Sequence, residues 1–256
     1  MSHPDFGSVS GSTADWVLSA RNGKIVLPDA DLLLSGSYSR AGPDLIVEGG
    51  GKKAVIVGYF AEENAATLFS DGGANLDGET VRALAGDLGG WQVAQVGGGS
   101  GPDPIGTVTT LTGAATVQRG GTVSNLTVGQ SVYQGDVVQT AADSSLGLTF
   151  IDQTVFSLAA NGRMVLNSLV FDPARNYNSL VISLVEGAFA FMTGLVTQNN
   201  GAVAVSTQQT NGTVTVNTPV AVLGIRGTYP WGIVDAQSGI FGTKVDLRSG
   251  QVEAYD

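Results

Sequence analysis

The sequence predicts an all-β protein in which short strands and tight turns make up most of the chain. Glycine contributes 37 of the 256 residues, and charged residues contribute 13%, about half of the roughly 25% found in a typical domain. Glycine is unfavourable inside helices, whose surfaces are normally covered by Lys, Glu and Arg. In residues 105–256, short apolar runs alternate with Gly- and Asn-rich turn signals roughly every 8–12 residues, which is typical of a sandwich, barrel or solenoid of short strands.

A Gly- and Pro-rich segment divides the chain into two parts. Residues 96–104 read VGGGSGPDP, a composition that sustains neither helix nor strand, so we predict a linker there. It separates a small β-rich N-terminal domain at 15–95 from a larger β domain at 105–256, which includes a C-terminal β extension. The polar residues 1–14 are predicted to be a mobile leader.

The N-terminal domain is predicted to contain a hairpin. The strand-like runs 44–48 and 54–59 flank three glycines and two lysines, which suits a permissive turn between antiparallel strands. The adjacent apolar residues indicate that both faces of the hairpin are covered. The positions taken as its apolar face are Leu45, Val47, Val55 and Val57.

One helix is predicted beside this hairpin. Residues 77–85 read DGETVRALA, with Asp77 as N-cap and with apolar side chains at helical spacing. The runs 24–27 and 31–34 are predicted as strands instead.

The side chains that most catalysis requires are scarce, so a non-enzymatic protein is predicted. Cysteine is absent from the sequence, which excludes disulfides, thiolate nucleophiles and zinc–thiolate sites. The one histidine, His3, lies in the polar leader, where an imidazole would not be held rigidly. The glycine cluster at 97–101 is not followed by Lys-Ser/Thr, so it is not a phosphate loop. No cofactor is expected.

An acidic turn is the weak candidate for a metal site. Asp71, Asp77 and Glu79 offer carboxylates, which calcium prefers, although the segment does not fit the EF-hand pattern. A solvated turn that leads into a helix N-cap explains these residues better, so no metal is expected.

Charge and hydropathy limit the partners. The formal net charge is −10, so nucleic acid and anionic lipid headgroups should repel the protein. The N-terminal residues lack a signal-peptide pattern, and no apolar stretch approaches the ~18 residues needed for a membrane span. We expect no membrane insertion, and we expect either export without a cleaved leader or a fragment of a longer protein, rather than a cytoplasmic chain.

Five sequence elements follow one another in residues 105–228 in an order that resembles the FecR-type domain. They are GTVT at 106–109, the GD-containing segment 128–140, the hairpin segment 145–154, LVEG at 184–187, and VNTPVAVLGIRGT at 216–228. Within the last element, Arg226 stands among apolar residues, where a guanidinium must be paired or reach solvent. The residues that carry the motif, to which we assign structural roles, are Gly135, Asp136, Asp152, Asn217, Thr218, Pro219, Arg226, Gly227 and Thr228.

The resemblance implies a β-rich, solenoid-like domain outside the cytoplasm. In regulators of this family, the domain relays a signal from an outer-membrane receptor to a sigma factor. Residues 34–47 and 57–60 are similar to the head of large, type I-secreted, adhesin-like bacterial surface proteins, which often carry a FecR-like domain near the N-terminus.

We therefore expect a non-enzymatic, extracytoplasmic structural or interaction module, the N-terminal part of a large secreted or surface-anchored bacterial protein, acting in assembly, retention or adhesion. Its partner would be another protein or a second copy, paired through exposed sheet edges. One alternative is the periplasmic signal-relay domain of a FecR-like sigma-factor regulator. A second is a carbohydrate-acting enzyme on a β-solenoid, using a carboxylate pair such as Asp29 and Asp31, although Pro28 before them favours a turn.

Overall fold

The computed structural model describes residues 14–19, 24–61, 66–87, 103–171, 179–192, 213–219, 222–226, 230–234, 243–247 and 251–255. Strands dominate these residues and helices are few, so the prediction of an all-β protein is confirmed. The solenoid arrangement stays a prediction.

The N-terminal part forms two small sheets and two helices. The strands β1, β5, β4 and β3 form a four-stranded sheet in this order, and β2, β6 and β7 form a three-stranded sheet. The elements are β1 (Trp16–Ser19), β2 (Lys24–Leu27), α1 (Ala30–Ser35), β3 (Ser37–Ala41), β4 (Asp44–Gly49), β5 (Lys52–Val57), β6 (Thr67–Ser70), β7 (Asn75–Leu76) and α2 (Gly78–Leu84).

The predicted hairpin is confirmed as the antiparallel pair β4 and β5. Its buried face differs from the predicted one in the second strand. Leu45 and Val47 are buried as predicted, but their partners across the ladder are Ile56 and Ala54, which are fully buried, whereas Val57 is exposed. Because side chains alternate along a strand, a shift by one residue exchanges the two faces.

The prediction of a single helix is wrong, because residues 31–34 lie in α1 rather than in a strand. Asp29 precedes this helix, and its Oδ1 accepts a hydrogen bond from Asp31 N–H at 2.9 Å. The three consecutive leucines of α1 are all buried. A short apolar run fits a buried strand or a helical turn equally well, and the N-cap decides between them.

The predicted helix α2 is confirmed, and Asp77 is its N-cap. The side chain of Asp77 accepts a hydrogen bond from Thr80 N–H at 2.9 Å. Val81 and Leu84 are buried, so the apolar face predicted from their spacing is the one that packs.

The C-terminal part forms one large sheet. Its strands are β8 (Gly106–Thr112), β9 (Ala115–Arg119), β10 (Thr122–Asn125), β11 (Ser131–Val132), β12 (Val137–Thr140), β13 (Ser145–Phe150), β14 (Val155–Leu158), β15 (Arg163–Val170), β16 (Ser179–Met192), β17 (Thr213–Asn217), β18 (Val222–Arg226), β19 (Pro230–Val234), β20 (Thr243–Leu247) and β21 (Gln251–Tyr255).

This sheet curls into a half-barrel. Its main path runs β10-β9-β12-β15-β16-β14-β13-β8-β11. The strands β8 and β9 follow each other in the chain but stand near opposite ends of that path, so the sheet must bend to bring its ends together. The core is enclosed by this bend and includes three stacked rings, Phe156, Phe189 and Phe191, whose centroids are 5.9–6.1 Å apart.

The strand β16 changes partners at Gly187. Before this residue β16 pairs with β15 and β17, and from this residue onward it pairs with β14 and β19. Gly187 has φ +105°, and a Cβ there would lie 2.5 Å from Gly162 Cα. Both the conformation and the lack of space require glycine at this position.

Three strands of the half-barrel are buried on both faces. On one face they contribute to the half-barrel core, for example through Met164 and Leu166. On the other face, Val137, Val165 and Val185 belong to the hydrophobic core of the N-terminal part. We call this contact the seam. It packs the N-terminal part against the outer face of β12, β15 and β16.

Neither helix in the described part of the chain has the length and apolar composition that a bilayer span requires.

Candidate functional site

A buried arginine crosses the seam. Arg163, at the start of β15, donates from Nη1 to Gly36 O at 2.7 Å, and its guanidinium lies 5.5 Å from the centre of the Tyr38 ring. Burial lowers the pKa of Arg163, while nearby Tyr38 and Glu186 act in the opposite direction. Glu186 is the ladder partner of Arg163 and accepts a hydrogen bond from Ser35 Oγ at 3.3 Å. These contacts fix α1 and β3 on the half-barrel.

Two further hydrogen bonds hold the other side of the seam. Gln118 Nε2 in β9 donates to Leu84 O at the end of α2 at 3.1 Å. Asn75 N–H in β7 donates to Pro219 O, just beyond β17, at 2.7 Å. Backbone and side-chain groups thus join the two parts at several separated points.

A cleft of about 230 Å³, lined by both apolar and polar side chains, opens at the seam. It lies where β7 and the start of α2 meet the middle of β16 and the end of β17. Its walls combine two leucines with amides, hydroxyls and one carboxylate. The lining residues are Asn75, Leu76, Asp77, Thr80, Ser183, Leu184, Asn217 and Thr218.

A chain of hydrogen bonds forms the buried side of this cleft. Thr80 Oγ1 lies 2.8 Å from Asp77 Oδ2 and 2.9 Å from Ser183 Oγ. A carboxylate accepts hydrogen bonds and does not donate them, so the single hydroxyl proton of Thr80 goes to Asp77. Ser183 must then donate to Thr80, which leaves the lone pairs of Ser183 Oγ as acceptors.

Two half-buried amides, Asn75 and Asn217, complete the cleft. The backbone of Asn217 is held in the sheet, where it is paired with Ser183 on one side and Val222 on the other. No hydrogen bond of either side-chain amide is seen within the described residues. Each amide offers one acceptor oxygen and two donor hydrogens, so the cleft can bind groups that both donate and accept.

The structure brings part of the predicted motif to this cleft. Asn217 and Thr218 line it, and Pro219 supplies the carbonyl that binds Asn75. No sequence pattern singles out Thr80 or Ser183 as a site residue, and Asn75 lies only in the segment that fails the EF-hand pattern. These residues belong to separate segments, which the seam alone brings together.

Asp136, another motif residue, is fully buried and stabilises the half-barrel. Arg119 donates to both of its carboxylate oxygens at 2.7 Å, and Tyr133 N–H donates to Oδ2 at 2.8 Å. The hydrogen bond to Asp136 raises the pKa of Arg119. Gly135 precedes it with φ +83°, a conformation that glycine adopts readily. The Gly-Asp pair therefore locks the turn before β12.

Asp152 locks the turn between β13 and β14 in a similar way. It is fully buried and accepts hydrogen bonds from Thr154 N–H at 3.1 Å and Thr154 Oγ1 at 2.6 Å. A carboxylate that binds the backbone two residues ahead is a common turn device.

The other predicted residues do not enter the cleft as a group. The backbone of Arg226 is paired with Gln251 at the end of β18, while Gly227, Thr228, His3 and most of the predicted linker lie outside the described residues.

The weak calcium candidates are not brought together as a ligand set. Asp71 follows β6, Asp77 caps α2 and Glu79 lies in the first turn of that helix. Within the described ranges, no cluster of three or more His, Cys, Asp or Glu side chains is placed to hold a metal ion.

The fold and the cleft define an all-β protein with an N-terminal part docked on a half-barrel. The chain matched no protein-family model, no curated protein and no solved structure. Its function is therefore proposed from the geometry of its own residues and from the motif order.

Proposed function

We propose that the chain is a non-enzymatic structural and interaction module that acts outside the bacterial cytoplasm, in assembly, retention or adhesion of a larger secreted or surface-anchored protein. The observation that carries this proposal is that the two carboxylates of the motif are engaged in hydrogen bonds within the fold. Asp136 and Asp152 are both fully buried, and their oxygens bind Arg119, Tyr133 N–H and Thr154. Groups engaged in this way stabilise turns.

The seam supports a structural role. Apolar side chains, a buried arginine and several hydrogen bonds join the N-terminal part to the half-barrel. A module that joins other parts of a large surface protein needs such a firm connection between its own elements.

An exposed sheet edge supports the interaction role. The strand β10 lies at one end of the main path, so one side of it has no strand partner among the described residues. Its four residues, Thr122–Asn125, are all exposed and uncharged, and Val123 is 61% exposed. Charges, prolines or bulges usually protect such edges from pairing with another chain. This edge has neither a charge nor a proline, which suits pairing with a partner strand.

Light scattering coupled to size exclusion tests pairing through β10. Across a concentration series, with and without calcium, we expect oligomers that grow with concentration and that are lost in Val123→Lys. Val128→Lys is the matched control, because Val128 is 60% exposed but lies in a turn outside the strands. A monomer at every concentration would argue against pairing of copies.

Protease treatment of intact cells tests the location. The natural gene, carrying an internal epitope tag, would be expressed in its own bacterium and the cells exposed to proteinase K. We expect the tag to be digested while a cytosolic marker stays intact. Full protection of the tag until the cells are lysed would exclude a surface location, and protection that ends when the outer membrane is opened would favour the signal-relay alternative.

A further inference from the structure

We propose that the cleft at the seam binds one sugar unit of a neutral saccharide. This inference goes beyond the proposed function and does not rest on it, because the cleft can be tested on the purified chain. The size of the cleft limits the ligand. The cleft measures about 230 Å³, which is below the roughly 300–1,000 Å³ of typical drug-sized ligand sites. It therefore suits a single ring rather than an extended ligand.

The charge of the cleft favours a neutral ligand. Asp77 is the one ionisable side chain that lines the cleft among the described residues, and its two oxygens already accept hydrogen bonds from the N–H and the hydroxyl of Thr80. An anionic ligand would meet this carboxylate without a cation to offset it. A cation would meet a single carboxylate whose lone pairs are partly used. A neutral ligand incurs neither cost.

The hydrogen-bonding groups of the cleft match those of a sugar. Asn75 and Asn217 each present donors and an acceptor, and Ser183 presents an acceptor because its proton goes to Thr80. A sugar hydroxyl donates one hydrogen bond and accepts others, so neighbouring hydroxyls on one ring can satisfy an amide and the serine together. The backbones of Asn217 and Ser183 are direct ladder partners, which fixes the spacing between these two groups.

The cleft is formed by residues from both parts of the chain. Asn75 and Asp77 belong to the N-terminal part, whereas Ser183 and Asn217 belong to the half-barrel. A sugar in the cleft would bind both parts at once. A ligand that binds the folded state and not the unfolded chain stabilises the fold, so saturable binding should also raise the melting temperature.

The test is a titration of the isotope-labelled chain, followed by amide chemical shifts, with the methyl glycosides of glucose, galactose, mannose and N-acetylglucosamine as probes. We expect saturable shifts near the cleft for at least one probe, with a dissociation constant near the millimolar range, as a few neutral hydrogen bonds allow. Asn75→Ala and Asn217→Ala should each weaken binding by about tenfold. Gln139→Ala is the matched control, because it removes an exposed amide from β12 outside the cleft, and it should bind as the unaltered chain does.

Three results would overturn the inference. One is the absence of saturable shifts with all four glycosides. Another is binding that both asparagine variants retain, since it would place the sugar elsewhere. The third is saturation of the same amides by calcium or ammonium ions but not by glycosides, which would make the cleft a cation site. None of these results would bear on the proposed location or on pairing through β10.

Discussion

The partners of the ion pair between Arg119 and Asp136 differ greatly in exposure. The side chain of Arg119 is 40% exposed, and that of Asp136 is fully buried. If the carboxylate is neutralised, the guanidinium can still turn towards water. If the guanidinium is removed, the carboxylate stays buried and keeps the hydrogen bond from Tyr133 N–H, which compensates little of the cost of a buried charge.

Removing the charge of Arg119 and removing the charge of Asp136 should therefore lower the free energy of unfolding by different amounts. We expect Arg119→Met to lower the free energy of unfolding by about 2–4 kcal/mol, less than for a completely buried pair because water reaches the arginine. Asp136→Asn should cost about 1–2 kcal/mol, since the amide retains one acceptor oxygen. Urea denaturation measures both values. A larger loss for the asparagine variant would contradict the argument.

Asp29 links the stability of the N-terminal part to pH. Its hydrogen bond to Lys52 Nζ holds the pKa of Asp29 below its ordinary value. A carboxyl group with a lowered folded-state pKa stabilises the fold above its unfolded-state pKa, and it loses this contribution as pH falls through its folded-state pKa.

Asp29→Asn should remove that pH dependence while it keeps the cap of α1, because asparagine is also a good N-cap. We expect the variant to be slightly less stable than the unaltered chain at neutral pH and equally stable in strong acid. Lys52→Met should reduce the pH dependence without removing it, because Asp29 keeps the hydrogen bond from Asp31 N–H, which also lowers its pKa. Thermal melts across a pH series test this, and a difference that stays constant with pH would refute it.

At the level of single elements, β16 joins the two halves of the curled sheet because it changes partners at Gly187. The matched comparison is Gly129, which also has a positive φ but has open space where a Cβ would lie. Any difference between alanine substitutions at these two positions reports the close contact with Gly162.

We expect Gly187→Ala to lower the free energy of unfolding by about 3–5 kcal/mol, since it combines backbone strain with overpacking. Gly129→Ala should cost about 1–2 kcal/mol, which is the conformational penalty alone. Chemical denaturation provides both numbers. Equal losses of unfolding free energy would show that the sheet adjusts to a Cβ at Gly187 without further destabilisation.

Among the individual elements, the sequence correctly predicted those that are determined by short-range patterns. The hairpin at β4 and β5 followed from its glycine turn, and α2 followed from Asp77 and its apolar spacing. The helix α1 was missed because three leucines carry no period of their own. Adjacent apolar residues, such as Val137-Val138 and Val165-Leu166, are typical of strands buried on both faces. They are a weak indication of the seam in the sequence.

The cleft was predictable only in part. Asn217 and Thr218 stood out through the motif resemblance, but Asn75 and Ser183 lie far from them in sequence and carry no motif. Arg163 could have been suspected, since it is a lone cation at the start of an apolar strand. Its hydrogen-bond partner, Gly36 O, could not have been suspected, because this pairing depends on how the two parts pack.

At the scale of the whole molecule, the seam predicts that the two parts stay together without a covalent connection. A specific protease site inserted between residues 95 and 104 would allow the chain to be cut after folding. We expect the two fragments to elute together in size exclusion, because buried valines and the Arg163 hydrogen bond hold them.

Val165→Thr should weaken this association by about 1–3 kcal/mol, roughly five- to 150-fold in the dissociation constant, because a hydroxyl replaces a methyl group in an apolar contact. Val123→Thr makes the same chemical change on an exposed strand outside the seam and should have no effect. Separate elution of the unsubstituted fragments would show that the seam is too weak to act as described.

The seam also orders the events of folding during synthesis. The N-terminal part emerges from the ribosome first, yet its hydrophobic core includes Val137, Val165 and Val185, which are made much later. Contacts between residues far apart in sequence form slowly, and an incomplete core exposes apolar surface that attracts chaperones or other chains. We infer that the residues made first finish folding only after β16 has been synthesised.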